Sequence, residues 1–249
     1  MVFPGETELI LAALMFLGAA LYTSVGHAGA SVYLALMALF GVAPEVMRPT
    51  ALVLNVLVST FTSFRFVAAG LFRWRTLWPF LLGALPMAFV GGAIQLPGQF
   101  YKPLVGAVLL IAAVRLLWPA DFKPNQEPTD PPIVPAVLGG VAIGFLSGLT
   151  GTGGGIFLSP ILLFMGWSAT RAASGVAAVF ILGNSSFGLL GNVASVKAVP
   201  DELPVYVLAV LAGAVVGTTL GIKKLPVAGI LKALGLVLVI AGLKLIGLY

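Results

Sequence analysis

Apolar runs follow one another along the whole chain, separated by glycine, proline and short charged clusters. They divide into ten, five in each half. In the first half they cover 8–25 (A), 29–42 (B), 47–69 (C), 76–95 (D) and 101–118 (E). In the second they cover 133–149 (A′), 155–167 (B′), 170–194 (C′), 203–221 (D′) and 226–248 (E′). Continuous apolar character at these lengths predicts helices in a bilayer. C, D and E are each long enough to span. B and B′ are not, because about 14 helical residues cover ~21 Å of a hydrocarbon core ~30 Å thick. A and A′ are also short. The A–B and A′–B′ pairs are therefore expected to be helical hairpins whose tips end inside the protein, where non-helical backbone avoids lipid.

Both tips are rich in small residues, and they match. Gly26-His27-Ala28-Gly29-Ala30 opens B, and Gly151-Thr152-Gly153-Gly154-Gly155 opens B′. The second motif stands 125 residues after the first, and Gly166 stands 125 residues after Gly41. The chain thus reads as one transmembrane domain, 1–249, made of two copies of one unit. Repeat 1 covers 1–119, a linker covers 120–132 and repeat 2 covers 133–249. Helix interruptions at corresponding places in two halves point to a substrate site.

Composition removes the soluble classes. Hydrophobic residues make up 60%, charged residues 8%, and the mean hydropathy is +1.12. Cysteine is absent, which excludes disulfides and thiolate metal sites. The net charge of +5 comes from basic residues at membrane loops, not from a nucleic-acid surface. Arg73 and Arg75 place the C–D loop in the cytoplasm, and Lys223 and Lys224 place the D′–E′ loop there too. These loops are not equivalent within the unit, so the copies are expected to be inverted, with both termini outside. Glu6 and Glu8 precede the first run in place of the basic flank of a cleavable signal. The linker, with Asp121, Lys123, Glu127 and Asp130, falls inside; the C′–D′ loop, with Lys197, Asp201 and Glu202, falls outside.

The charges also narrow the guest. All eight acidic residues lie at run ends or in loops, so no deep carboxylate is available for a proton relay or a cation site. A helix start after each glycine loop offers N–H groups and a partial positive charge, which attract an anion, and glycine lets a ligand approach the backbone. Close helix packing is the competing role of an isolated glycine. Two clusters at equal spacing, each opening a helix too short to span, favour a ligand. The candidate cradle is Gly26, His27, Ala28, Gly29, Ala30 and Ser31 on one side, with Gly151, Thr152, Gly153, Gly154 and Gly155 on the other. Thr23, Ser24, Thr150 and Ser159 add hydroxyls nearby. Asn55 and Asn184 lie mid-run in C and C′, near Ser59, Thr60, Ser185 and Ser186, and Gly183 is placed to break C′. Arg65 lies within C without an acidic neighbour in sequence, so it is expected to face water, an anion or backbone carbonyls, and Asn55, Asn184 and Arg65 are candidate substrate-binding donors beside the cradle. Arg48 and Arg171, just after the B–C and B′–C′ turns, are expected to reach the surface; Arg115 and Lys244 lie within E and E′. His27 is the single histidine and the one deep group able to titrate near neutral pH. No metal site, cofactor or catalytic residue is expected: a serine acting with His27 would lack a nucleophile elbow and an orienting carboxylate.

With these residues laid out, the chain resembles the TauE/SafE family of membrane transporters over nearly its whole length. The resemblance rests on the duplicated unit, the run Gly148-Leu149-Thr150-Gly151-Thr152-Gly153-Gly154-Gly155 with Ser159-Pro160 after it, the stretch Ala172-Ala173-Ser174-Gly175, and the copy Val25-Gly26-His27-Ala28-Gly29. It implies a bacterial inner-membrane carrier for sulfite, sulfoacetate or a related organosulfonate. A passive anion channel and a carrier for a small carboxylate are the alternatives. The expected partners are a small anionic substrate and the lipid bilayer, with no nucleic acid and with a homodimer left open. The first tip carries fewer glycines than the second, which makes His27 a candidate for substrate choice.

Overall fold

The computed structural model describes residues 5–117, 128–193, 199–222 and 228–247. Among the described residues the chain is all-helical, in two sets of five. The first set is α1 (Glu6–Ser24), α2 (Ala30–Leu39), α3 (Pro44–Ala68), α4 (Trp74–Ala93) and α5 (Gly98–Leu117). The second is α6 (Ile133–Thr150), α7 (Gly155–Phe164), α8 (Thr170–Gly191), α9 (Leu203–Ile222) and α10 (Ala228–Ile246). These are the ten apolar runs, with ends moved by a few residues. Most of the expected linker, Lys197, Lys223, Lys224 and the side chain of Arg115 lie outside the described residues.

Two expectations are corrected. α8 runs unbroken through Gly183, whose missing Cβ instead leaves room for Leu85 of α4. B and B′ are shorter than their apolar patterns, because α2 and α7 hold 10 residues each, about 15 Å of rise. Among the described residues, α1, α3, α4, α6, α8 and α9 are long and apolar enough to cross a membrane. Leu17, Phe64, Leu82, Leu138, Leu190 and Leu208 point outward, an apolar surface that suits lipid. The chain is a multi-pass membrane protein.

The two sets interlock rather than pack side by side. α1 lies along α9, and α4 along α6, which is one interface met twice. Small residues bring these backbones together. A Cβ on Gly140, Gly144 or Gly148 would strike the carbonyl of Phe80, Ala84 or Ala88 in turn. A Cβ on Gly213, Gly217 or Gly221 would strike that of Phe16, Ala20 or Ser24. In both pairs residue numbers rise together, so the helices are parallel. α3 and α8 run antiparallel, with Leu52 beside Gly188 and Asn55 beside Ser185. α5 and α10 are antiparallel too, with Gly106 near Gly242 and Ile246, and Leu110 near Gly242.

Loop contacts define two ends. At one, Asp130 lies 3.4 Å from Arg73 and 3.9 Å from Arg75, the Thr129 N–H donates to Gly166 O (3.1 Å), and Arg171 donates to Ile222 O (2.8 Å). At the other, Lys244 donates to Leu39 O (2.9 Å), Arg48 to Ile94 O (2.8 Å) and Gln95 to Asn192 Oδ1 (3.1 Å). The centre is asymmetric. α2 is buried from Ala30 to Ala38, with α10 packed along it, whereas α7 leaves Phe164 67% exposed at its end.

Candidate functional site

The first tip is built by a helix stop. α1 ends at Ser24, and Gly26 takes φ +80°, a left-handed conformation that glycine adopts without a Cβ penalty. Its N–H donates to Thr23 O (3.1 Å) and that of His27 to Tyr22 O (2.9 Å), which closes the helix with a Schellman motif. Gly26 lies against the backbone of Ser174 in α8, where no side chain fits. Side chains then pin the loop: Tyr33 Oη donates to Ala28 O (2.6 Å), Ser31 Oγ to Tyr22 Oη (2.8 Å), and the Ala30 N–H to Asn55 Oδ1 (3.2 Å).

The second tip follows the same plan with different chemistry. α6 ends at Thr150, and the Gly151 N–H returns to Ser147 O (2.8 Å). Gly151 lies against Arg48, backbone and side chain alike, as Gly26 lies against Ser174. Asn184 Nδ2 donates to Gly153 O (3.2 Å) and to Ser147 Oγ, and Tyr101 Oη donates to Thr150 O (3.0 Å).

The tips meet. His27 Nε2 lies 3.0 Å from Gly155 O and 3.2 Å from Ser159 Oγ, while Nδ1 lies 3.2 Å from Val25 O. Both ring nitrogens face carbonyl oxygens; a neutral ring donates to one of them, and an imidazolium to both. Asn55 Nδ2 donates to Ser185 Oγ (3.0 Å), which ties α3 to α8 at the same level. The space left between the tips, lined by His27, Ala28, Gly29, Ala30, Ser31, Asn55, Thr152 and Gly155 among others, is about 10 Å³. That holds at most one water. Two larger clefts flank it. One of about 120 Å³ runs past Leu163, Thr170 and Ser174 to His27 and Ser159, on the side of the Asp130 end. The other, about 40 Å³, lies at the Lys244 end between the starts of α3 and α5 and the end of α8.

The structure therefore brings His27 to Ser31, Asn55, Thr152 and Gly155 to one small space, with Gly153, Gly154 and Asn184 packed behind the second tip and Gly26 and Gly151 seated against Ser174 and Arg48. It does not bring Arg65 there. Arg65 follows Asn55 by ten residues, about 15 Å along α3, where it donates to Thr219 Oγ1 (3.1 Å) and lies 5.8 Å from the Phe61 ring. Thr23 and Ser24 turn their hydroxyls back onto Ala19 O and Leu21 O. Arg48 corrects the sequence reading. It is 5% exposed, and its guanidinium donates to Gly91 O (2.8 Å), Gly92 O and Ile94 O (2.8 Å), capping the C-terminal carbonyls of α4. Tyr22, Tyr33 and Tyr101 carry no signal of a site role in the sequence. Each sits in an apolar run, and only the meeting of distant helices shows its hydroxyl to be a tether.

Comparisons with known proteins place the chain in a family. Residues 10–245 match the family described as "Sulfite exporter TauE/SafE". The chain is 38% identical over 245 residues to a "Probable membrane transporter protein y4hK" of Sinorhizobium fredii, covering 97% of this chain and 99% of that one. No solved structure matches the chain. With a match of this extent and a relative aligned end to end, the chain belongs to the sulfite exporter TauE/SafE family and is a membrane transporter of that type.

Proposed function

We propose that the protein is a secondary carrier that moves a small sulfur-containing oxyanion, sulfite or an organosulfonate, across the bacterial inner membrane by alternating access around the paired tips. The observation that carries this reading is the closed contact between tips, His27 Nε2 to Gly155 O, with a cleft on either side leading to opposite ends. A guest reaches the tips from one cleft and leaves by the other only if the contact opens. Parallel packing of α1 on α9 and α4 on α6 supports inverted copies, since repeats of the same orientation would make those pairs antiparallel. The absence of acids from both tips favours an anion, and the family's description favours sulfite.

A thermal-shift screen of the purified protein tests the substrate class. Sulfite, sulfate, sulfoacetate, taurine, thiosulfate and simple carboxylates are compared; a ligand at 100 times its Kd stabilises by about 2.7 kcal/mol. Stabilisation by carboxylates alone would reassign the carrier to carboxylates. Counterflow in proteoliposomes tests the mechanism, because a carrier saturates and is trans-stimulated, and an open pore does neither.

His27 is the candidate for proton coupling. The groups that face it include Tyr22, 6.1 Å away edge-on, Ser159, and the carbonyls of Val25 and Gly155; no carboxylate belongs to either tip. His27→Ala is expected to flatten the pH dependence of transport between about pH 5 and 8. An unchanged profile removes His27 from that role.

A further inference from the structure

The smaller cleft, at the Lys244 end, is polar in a way that α4 capping does not explain. Arg48 commits its two terminal nitrogens to the carbonyls of α4. Its Nε has no partner, and neither has Asn192 Nδ2. Both residues line the cleft and both are buried, Arg48 at 5% and Asn192 at 1% exposure. Gln95 Nε2 donates to Asn192 Oδ1 (3.1 Å), which fixes the amide so that Nδ2 remains on offer. Buried donors without acceptors are rare and costly. The guanidinium also keeps its charge, yet the ion pairs found among the described residues involve Arg73 and Arg75. Three carbonyl oxygens supply only partial negative charge. Two donors without acceptors, on residues that line a cavity of about 40 Å³, together with a guanidinium that forms no ion pair there, suit one small, multi-oxygen anion.

The position gives this chemistry a use. The Gly151 tip adjoins the cleft: Gly151 packs on Arg48, and Tyr101, which lines the cleft, holds Thr150 O. The counterpart place beside Gly26 is taken by Ser174, which is neutral. Glu45, exposed, stands in the lining of the Arg48 cleft and opposes an anion there.

We infer that the Arg48–Asn192 cleft is a second oxyanion station, separate from the paired tips, that holds a sulfite- or sulfate-sized anion at one end of the path. This rests on the anion-carrier reading above. The station makes the two ends unequal: the anion binds more tightly at the Arg48 end than at the Ser174 end.

The test measures sulfite transport from each side, in right-side-out and inside-out vesicles, for the full chain and two variants. Asn192→Asp sets a carboxylate in the lining of the Arg48 cleft, where it opposes a bound anion; KM from the Arg48 end is expected to rise about tenfold or more, with the rise confined to that side. Glu45→Gln removes the opposing charge from an exposed position, and KM from the same end is expected to fall about threefold. A purely structural Arg48 would not respond to Glu45→Gln. The inference is overturned if the full chain transports sulfite while both variants keep KM within about twofold at both ends. It is overturned too if KM changes equally at both ends, which marks a general disturbance. If the unaltered chain transports no oxyanion, the carrier reading itself falls and the station with it.

Discussion

Gly26→Ala is expected to abolish transport and to destabilise the protein by about 3 kcal/mol or more, a fall in Tm of roughly 6–12 °C for a chain of this size. Two costs add at this residue. A left-handed φ costs a non-glycine residue about 1–2 kcal/mol, and Gly26 has φ +80°. The new methyl would also overlap the backbone carbonyl of Ser174, a neighbour that cannot rotate away. Relief requires the tip to back out of α8, which pulls His27 from Gly155. Gly41→Ala is the control. It has φ +76° but nothing within 4 Å of its missing Cβ, so it keeps the backbone cost alone. Thermal melting and proteoliposome flux on the two variants separate the effects. Equal losses would show that the seat of the tip on Ser174 does not matter.

Asn55→Leu is expected to cost about 2–4 kcal/mol and most of the transport rate, because it strands two buried groups at once. Asn55 is 1% exposed; its Oδ1 accepts from the Ala30 N–H and its Nδ2 donates to Ser185 Oγ. Leucine fills the volume and serves neither. Asn55→Asp divides the roles. It keeps the acceptor for Ala30, but it puts a buried negative charge at the point where the tips meet, which carries a stability cost of its own. Flux of an anion should then fall further than in Asn55→Leu when equal amounts of folded protein are compared. The reverse ranking, with Asn55→Asp the better transporter, would argue for a cation or neutral guest.

Much of this site is legible in the sequence alone. The 125-residue displacement, the shortness of B and B′, and the basic C–D and D′–E′ loops are one-dimensional facts, and each has a direct physical meaning in a bilayer. Asn55 and Asn184 were legible because polar residues deep in apolar runs need partners. Arg48 was not. A cation in the first turns of a helix reads as interfacial, and nothing near it in sequence shows that the last carbonyls of α4 arrive there to bind it. Arg65 illustrates the converse. It lacks an acidic neighbour in sequence, and a threonine from α9 and the Phe61 ring meet it in the fold. Gly183 misled for another reason: glycine marks a helix break in one context and a tight helix crossing in another, and here Leu85 decides which.

The interlocked packing bears on how the protein is made. α1 finds its lasting partner in α9, which begins at Leu203. A ribosome working at about 5–20 residues per second emits the ~180 residues between them in roughly 10–35 s. For that interval the carbonyls of Phe16, Ala20 and Ser24 wait without the glycine face that will cover them. The first half therefore enters the membrane as an unfinished structure. Its completion is a late, long-range event that depends on the second half being synthesised in the same neighbourhood.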